Sequence, residues 1–392
     1  MTLSIKDFTT DAKNTSTDYS QAFRDAWKAL CEADEKDEAT SLVIHANETY
    51  TIQPQLFQGP CVSRDIHIQI DGTIEAPKMI EEWGDIGESK CWLCFKNVTG
   101  IVLNGSGVLN PHGEAWWSSV DHSNRPRAVG FNASSDIIYS GLTQFNSPKN
   151  HVSVFNCTNA TLSNLHLIAP GDSPNTDGID IALSNNVQVF NSSIQTGDDC
   201  VAINGGSYDI NITHVACGPG HGISIGSLGR GGLNETVKNV QVRHCSFNGT
   251  ENGARIKTWA GGKGFARNIT YENITLIDAK YPIIIDQNYC NGGHNCKSGA
   301  TAVKVSDVTF RNFTGTCSSD IAMKLACDKL VSCQNIVIEN INIVSSSPKK
   351  HLSSSCQYAD VVTHFVNTAI KCAIDEEPRP QARRRSMLNL RH

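Results

Sequence analysis

The sequence Gly178-Ile179-Asp180-Ile181, followed by Asn186-Val187-Gln188-Val189, then Cys200-Val201-Ala202-Ile203 and Asp209-Ile210-Asn211-Ile212, sets the pattern of the chain. Two kinds of short apolar/polar alternating segment take turns. The kind that starts on Asn or Asp returns at Asn239-Val240-Gln241-Val242, Asn268-Ile269-Thr270-Tyr271, Asp307-Val308-Thr309-Phe310 and Asn335-Ile336-Val337-Ile338, at intervals of 23, 30, 29, 39 and 28 residues. The other kind returns at Gly222-Ile223-Ser224-Ile225, Ala254-Arg255-Ile256-Lys257, Pro282-Ile283-Ile284-Ile285 and Ala322-Met323-Lys324-Leu325. Alternation of period two buries one face of each strand. Two interleaved strand series at one variable interval describe a coiled β solenoid, with insertions placed in the turns. The units are too short for propeller blades, and a sandwich needs no repeat. Stacked coils share a core that no coil could bury alone. The recurring Asn beside each strand is expected to stack as an internal ladder.

Outward from this core, Phe23, Ala26, Trp27, Leu30 and Cys31 share one helical face, with Asp18 and Gln21 placed for a capping box. A short N-terminal helix lidding the solenoid is predicted. The fold class is therefore all-β, one domain over residues 1–374. The stretch 375–392, with Arg383-Arg384-Arg385, lacks the repeat and reads as a disordered or processed basic tail.

Composition agrees. Charged residues make up 18% and there are 31 glycines, which suits a turn-rich β body. A net charge of -6 argues against a nucleic-acid partner, though a local cationic cleft can still take an anionic polymer. No apolar stretch is long enough for a bilayer span. Fifteen cysteines, with short-range pairs Cys91 and Cys94, Cys327 and Cys333, and Cys356 and Cys372, read as disulfides of an exported protein, leaving at least one buried thiol. Finger-like Cys/His spacing for a metal is absent. Sequons at Asn47, Asn97, Asn211, Asn268 and Asn312 support export, some of them packed in turns and unmodified. The first residues, Met1-Thr2-Leu3-Ser4-Ile5-Lys6-Asp7, carry no signal-peptide core, so a removed leader is expected.

The repeat also turns spacing into proximity. Asp177, Asp199 and His221 are 22 and 22 residues apart, each just before a strand of the second series, so in register they form a column at about 4.8 Å per step. Asp198 adjoins Asp199. Arg255 and Lys257 alternate with Ile256 on the next coil and face outward together; Tyr289 follows on the coil after. Clustered carboxylates force one pKa up while others stay ionised, which supplies an acid and a base for glycosidic hydrolysis. The two cations suit a substrate carboxylate. Each residue alone has a plainer reading: Asp177 as a turn cap, Asp198-Asp199 as a Ca²⁺ ligand pair, His221 as a turn residue, Arg255 and Lys257 as a solvated face, Tyr289 as packing. Their succession on neighbouring coils favours a site.

At Asn175-Thr176-Asp177, Gly197-Asp198-Asp199, Gly220-His221-Gly222, Arg255-Ile256-Lys257 and the Tyr after Asp286-Gln287-Asn288, the chain resembles the polygalacturonases, pectin-hydrolysing glycosidases with a right-handed parallel β-helix. The resemblance extends to Phe23-Arg24-Asp25-Ala26-Trp27, Gly72-Thr73-Ile74-Glu75-Ala76-Pro77 and Asn146-Ser147-Pro148-Lys149-Asn150-His151, and is nearest the plant branch; Phe8-Thr9-Thr10-Asp11-Ala12-Lys13 replaces that branch's glycine-rich stretch. It implies Asp198 as general acid, Asp177 and Asp199 as bases for inverting attack by water, and His221 tuning the acid's proton. It further implies Arg255 and Lys257 on the galacturonate carboxylate, Tyr289 as a subsite wall, Asn175 orienting substrate or water, and a Cys200–Cys217 disulfide bracing the site. The implied substrate is de-esterified homogalacturonan, cleaved at α-1,4 linkages by a secreted cell-wall monomer without metal or cofactor. On this reading Lys257→Ala mainly raises KM. The alternatives are a rhamnogalacturonan hydrolase, a Ca²⁺-dependent pectate lyase and a non-catalytic wall-binding homologue.

Overall fold

A computed structural model describes residues 2–9, 18–33, 41–88, 90–291, 299–348 and 350–373. The basic stretch 375–392 lies outside them. The chain winds into a parallel β-helix. One face is a 12-stranded sheet built in strict chain order, in which Ile179–Ala182, Val201–Ile203, Ile223–Leu228, Asn252–Trp259, Tyr281–Tyr289 and Ile321–Ala326 are successive strands. The other faces form one 19-stranded sheet that bends around the core. Every pairing among these central strands is parallel, and the registers stack Ile179, Val201, Ile223, Ala254, Ile283 and Met323 into one column. All six are fully buried. The two series read from the sequence are thus two faces of the same coil.

Long strands such as Asn185–Gln195 turn the corner without breaking, by one left-handed residue in their middle: Asn191 has φ 51°. Asn and Asp tolerate this region because their short polar side chains bond locally. The recurring residues Asn186, Asp209, Asn239, Asn268, Asp307 and Asn335 are likewise left-handed, with φ between 52° and 59°. They do form a ladder, but on the outside. Asn239 donates to Asp209 at 2.7 Å, Asn268 to Asn239 at 2.8 Å and Asn335 to Asp307 at 2.8 Å, all exposed. The expected internal ladder is corrected for a physical reason: a left-handed corner points its side chain away from the apolar interior, which aliphatic and aromatic stacks fill instead. Phe57, Phe95 and Phe131 stack at 4.9 and 5.4 Å.

The helix Ser20–Glu32 closes the N-terminal end, burying Phe23, Ala26, Trp27 and Leu30, with Trp27 against Phe57 at 5.3 Å. The capping box is not made. Asp18 accepts from the Ser20 backbone N–H at 2.9 Å, while Gln21 turns outward to Asp25. Disulfides join Cys31 to Cys61, Cys91 to Cys94, Cys200 to Cys217, Cys327 to Cys333 and Cys356 to Cys372; Cys157, Cys245 and Cys317 are buried thiols. Among the sequons, Asn268 and Asn312 spend their amide N–H in ladder bonds and Asn211 in a bond to Gln188, whereas Asn47 and Asn97 are exposed.

Candidate active site

The turns that enter successive strands of the 12-stranded sheet carry the acidic residues. Backbone bonds from Gly178 to Asp199 (2.9 Å) and from Cys200 to Gly222 (2.8 Å) lock three turns in register. Asp177, Asp199 and His221 therefore stand in the column that their spacing implied. Gly222 is required here: its φ is +86°, and a Cβ would lie 2.3 Å from the Asn252 carbonyl oxygen. The Cys200–Cys217 disulfide follows directly on Asp199 and ties this turn to the adjoining face.

Asp199 is the anchor. It is 1% exposed, yet its carboxylate is fully engaged. Ser224 donates to Oδ1 at 2.8 Å, Arg255 Nη2 to the same oxygen at 2.5 Å, and Lys257 Nζ to Oδ2 at 2.7 Å. Burial opposes its ionisation, but Arg255 and Lys257 outweigh burial and hold the pKa down at about 2. Arg255 and Lys257 flank buried Ile256, as alternation required. They lie deeper than the sequence suggested, at 12% and 9% side-chain exposure, because they serve Asp199 as well as the groove.

Asp198 is the more exposed carboxylate of the pair, with 20% of its side chain accessible. Its Oδ1 accepts from His221 Nδ1 at 2.9 Å and from the Asp199 backbone N–H at 2.9 Å; its Oδ2 accepts from Asn175 Nδ2 at 3.2 Å. Asn175 reaches it from a left-handed position, φ 58°. Burial disfavours the charged form of His221, but its bond to Asp198 and the charges of Asp198 and Asp199 raise the pKa above the ordinary value. Asp177 is driven well above the carboxylate range by burial first, then by Asp198, Asp180 and Asp199. Tyr289 lies beside Lys257, whose Nζ is 5.4 Å from the ring centroid.

Several participants escaped the sequence reading. Asp180 is a polar member of the strand that Asp177 leads into, in the column of Ala202 and Ser224. Burial and then Asp199 push its pKa to about 7, opposed by Arg127 and Lys149, and its Oδ1 is sealed from solvent without a hydrogen-bond partner. It was legible as the polar member of Gly178-Ile179-Asp180-Ile181. Ser224, the second donor to Asp199, occupies the equivalent place one coil beyond Ala202. Glu251, whose Oε2 is 3.2 Å from His221 Nε2, sits in a turn with no repeat signal. Donor atoms of Asp198, Asp199 and His221 lie within 4.8 Å of one another. As a metal-binding set they fit poorly, since Asp199 is already neutralised by two cations.

A parallel β-helix that carries a partly exposed carboxylate cluster backed by two fixed cations has the acid–base equipment to hydrolyse sugar chains. The chain belongs to the glycosyl hydrolases family 28, whose family model matches residues 35–367. It is 44% identical over 334 residues to an Arabidopsis thaliana protein named a probable polygalacturonase, covering 84% of this chain and 71% of the relative. It is 39% identical over 356 residues to a polygalacturonase of Persea americana, covering 89% and 75%. Among solved structures, the endo-xylogalacturonan hydrolase of Aspergillus tubingensis superposes with a TM-score of 0.75 at 23% identity, covering 94% of this chain and all of that one, which shows the shared fold.

Proposed function

We infer that this chain is a polygalacturonase that cleaves α-1,4 linkages of de-esterified homogalacturonan by single displacement. The observation that carries the reading is the division of labour within the cluster: Asp199 is fixed as an anion by Arg255 and Lys257, while Asp198 and Asp177 remain to handle a proton. Asp198 is the general acid. It is the partly exposed carboxylate with an imidazole of raised pKa at its oxygen, so His221 in its protonated form can return a proton as Asp198 gives one to the leaving glycosidic oxygen. Asp177 and Asp199 orient and deprotonate the attacking water. Asp177, Asp180 and Asp199 share their protons as a unit, so Asp177 acts as a base from the fraction in which it is ionised. Arg255 and Lys257, which keep 12% and 9% of their side chains exposed, meet the galacturonate carboxylate, and Tyr289 forms the adjoining wall. Asn175 holds Asp198 in its rotamer.

One observation favours a second reading. Donor oxygens of Asp198 and Asp199 lie within 4.8 Å, near the span of retaining glycosidases, in which one carboxylate attacks the sugar. Asp199 is a poor nucleophile, because three donors occupy its oxygens. Proton NMR of the first product decides: β-anomer first supports single displacement, α-anomer first overturns it. On polygalacturonate, saturated reducing ends insensitive to chelator are expected; ends absorbing in the ultraviolet would signify a lyase. Asp198→Asn is expected to lose at least about a thousandfold in kcat with its melting temperature kept, and near-normal turnover would remove Asp198 from the acid role.

The continuous core from Leu3 to Cys356 supports one catalytic unit over residues 1–374, for which we propose a monomeric state. The disulfides and exposed sequons support export to the cell wall. No helix among the described residues is long and apolar enough to cross a membrane.

A further inference from the structure

The turn that follows strand Ile223–Leu228 presents an arginine that the catalytic cluster does not use. Arg230 is exposed, and among the described residues it makes no ion pair. Its guanidinium carbon instead stands 5.4 Å from the centroid of the Trp259 ring. Trp259 in turn meets Tyr289 edge to face at 5.5 Å, and Tyr289 carries Lys257 Nζ at 5.4 Å. Two rings between two cations thus form a line that runs outward from the anchor of Asp199 to exposed Arg230.

Two further features say that this line is built. The Trp259 Nε1 is sealed from solvent without an acceptor. An indole whose N–H goes unpaired is held in place for its faces, since the missing bond carries a cost. The turn that bears Arg230 is also pinned at its start. The Gly229 N–H donates to Glu235 Oε2 at 2.6 Å, and Gly229, with φ +83°, packs so closely on Gly262 that a Cβ would fall 2.6 Å from its Cα. The guanidinium is therefore presented on a fixed loop against a fixed ring, with its hydrogen-bonding edge left open. A planar fork of N–H donors on an aromatic support suits a carboxylate or a ring hydroxyl pair of a sugar acid.

We propose that Arg230, supported by Trp259, is a specificity-determining residue that binds the carboxylate of a second galacturonate, beyond the unit held at Arg255 and Lys257. This rests on the reading of the site as a galacturonan hydrolase and adds to it a rank order among substrates: chains long enough to reach Arg230 bind better than shorter ones, and charge at that unit matters.

The test is titration calorimetry on the Asp198→Asn protein, which binds without turnover, with short and long galacturonate oligomers. Arg230→Ala is expected to weaken the long oligomer about three- to tenfold and to leave the short one within twofold. Arg230→Lys should recover part of the loss and Arg230→Gln none. Trp259→Leu, which removes the support and leaves the charge, should shift the same way by less. Methyl esterification of the long oligomer should erase the difference between Arg230 and Ala, and so should high salt. Equal weakening of short and long oligomers, or none of either, overturns the role of Arg230 and leaves the reading of the cluster standing. Failure of the Arg230-containing protein to bind any galacturonate overturns that reading, and this one with it. Retained circular dichroism and melting temperature in each variant separate a binding loss from a folding defect.

Discussion

Lys257→Met should damage the enzyme in two ways that a pure substrate ligand would not. Lys257 Nζ lies 2.7 Å from Asp199 Oδ2, and the two side chains are 9% and 1% exposed, so solvent does little to screen the pair. Asp199 is held at about 2 against an ordinary 3.8, with burial working the other way and Arg255 and Lys257 supplying the charge. That difference corresponds to roughly 2–3 kcal/mol of folding stability, shared between the two cations. Removing one of them leaves the buried carboxylate with Arg255 and Ser224 alone, so a loss of about 2 kcal/mol at neutral pH is expected. The sign follows from the depressed value: the contribution is complete above the unfolded pKa near 4 and disappears as pH falls through about 2. In the variant Asp199 protonates at a higher pH, so its deficit is greatest at neutral pH and narrows below about pH 4. Urea unfolding at neutral pH and near pH 3.5 measures this directly. Turnover should show it too, since kcat falls along with the rise in KM that a lost carboxylate contact would give. The sequence alone argued for a rise in KM, mainly, because it could not reveal that the ammonium leans on Asp199. A deficit below about 0.5 kcal/mol, or one equal at the two pH values, would refute the account of Asp199 as a buried anion held by both cations.

Two other expectations follow from the same geometry. His221 has a raised pKa and delivers its proton to Asp198, so kcat should fall as pH rises through that value; in His221→Gln this alkaline limb should vanish from the pH–rate profile at a much lower plateau, and an unchanged limb would assign it to another group. Replacing Cys200 and Cys217 together by Ser removes a cross-link of 17 residues' separation, which should cost about 3 kcal/mol in urea unfolding and lower kcat more than KM worsens, because the bond follows the catalytic turn; unchanged stability would show that the solenoid register alone holds that turn.

The solenoid was legible because its information is periodic. Ile179, Val201 and Ile223 announce their common column by spacing alone, and the same spacing aligns Asp177, Asp199 and His221. The outer features were less legible. Alternation tells which side of a strand a residue occupies, but a left-handed corner breaks alternation, so the Asn ladder was assigned to the wrong side. Depth was hidden for a similar reason. Arg255 and Lys257 alternate outward like any solvated pair, and only the course of the neighbouring turn shows that Asp199 draws them down. Glu251 and Arg230 lie in turns whose length varies from coil to coil, and there the repeat carries no positional information at all.

This contrast bears on how such a scaffold divides its tasks. The strands fix rung spacing, so whatever must be invariant, here one carboxylate and its two cations at hydrogen-bonding distance, is best written into positions that the hydrogen-bond ladder keeps in register. Asp199 accepts from residues on the next two coils, Ser224, Arg255 and Lys257. A slip of one residue in either strand would turn those donors into the core and bring Ile223, Ile225 or Ile256 out against a buried charge. The same constraint that defends the fold therefore defends the chemistry: a register error is penalised once by exposed isoleucines and again by an unpaired carboxylate. The turns whose length varies from coil to coil, such as the one that bears Arg230, are under neither penalty, and so the residues that distinguish one substrate from another can change there while the cluster stays as it is.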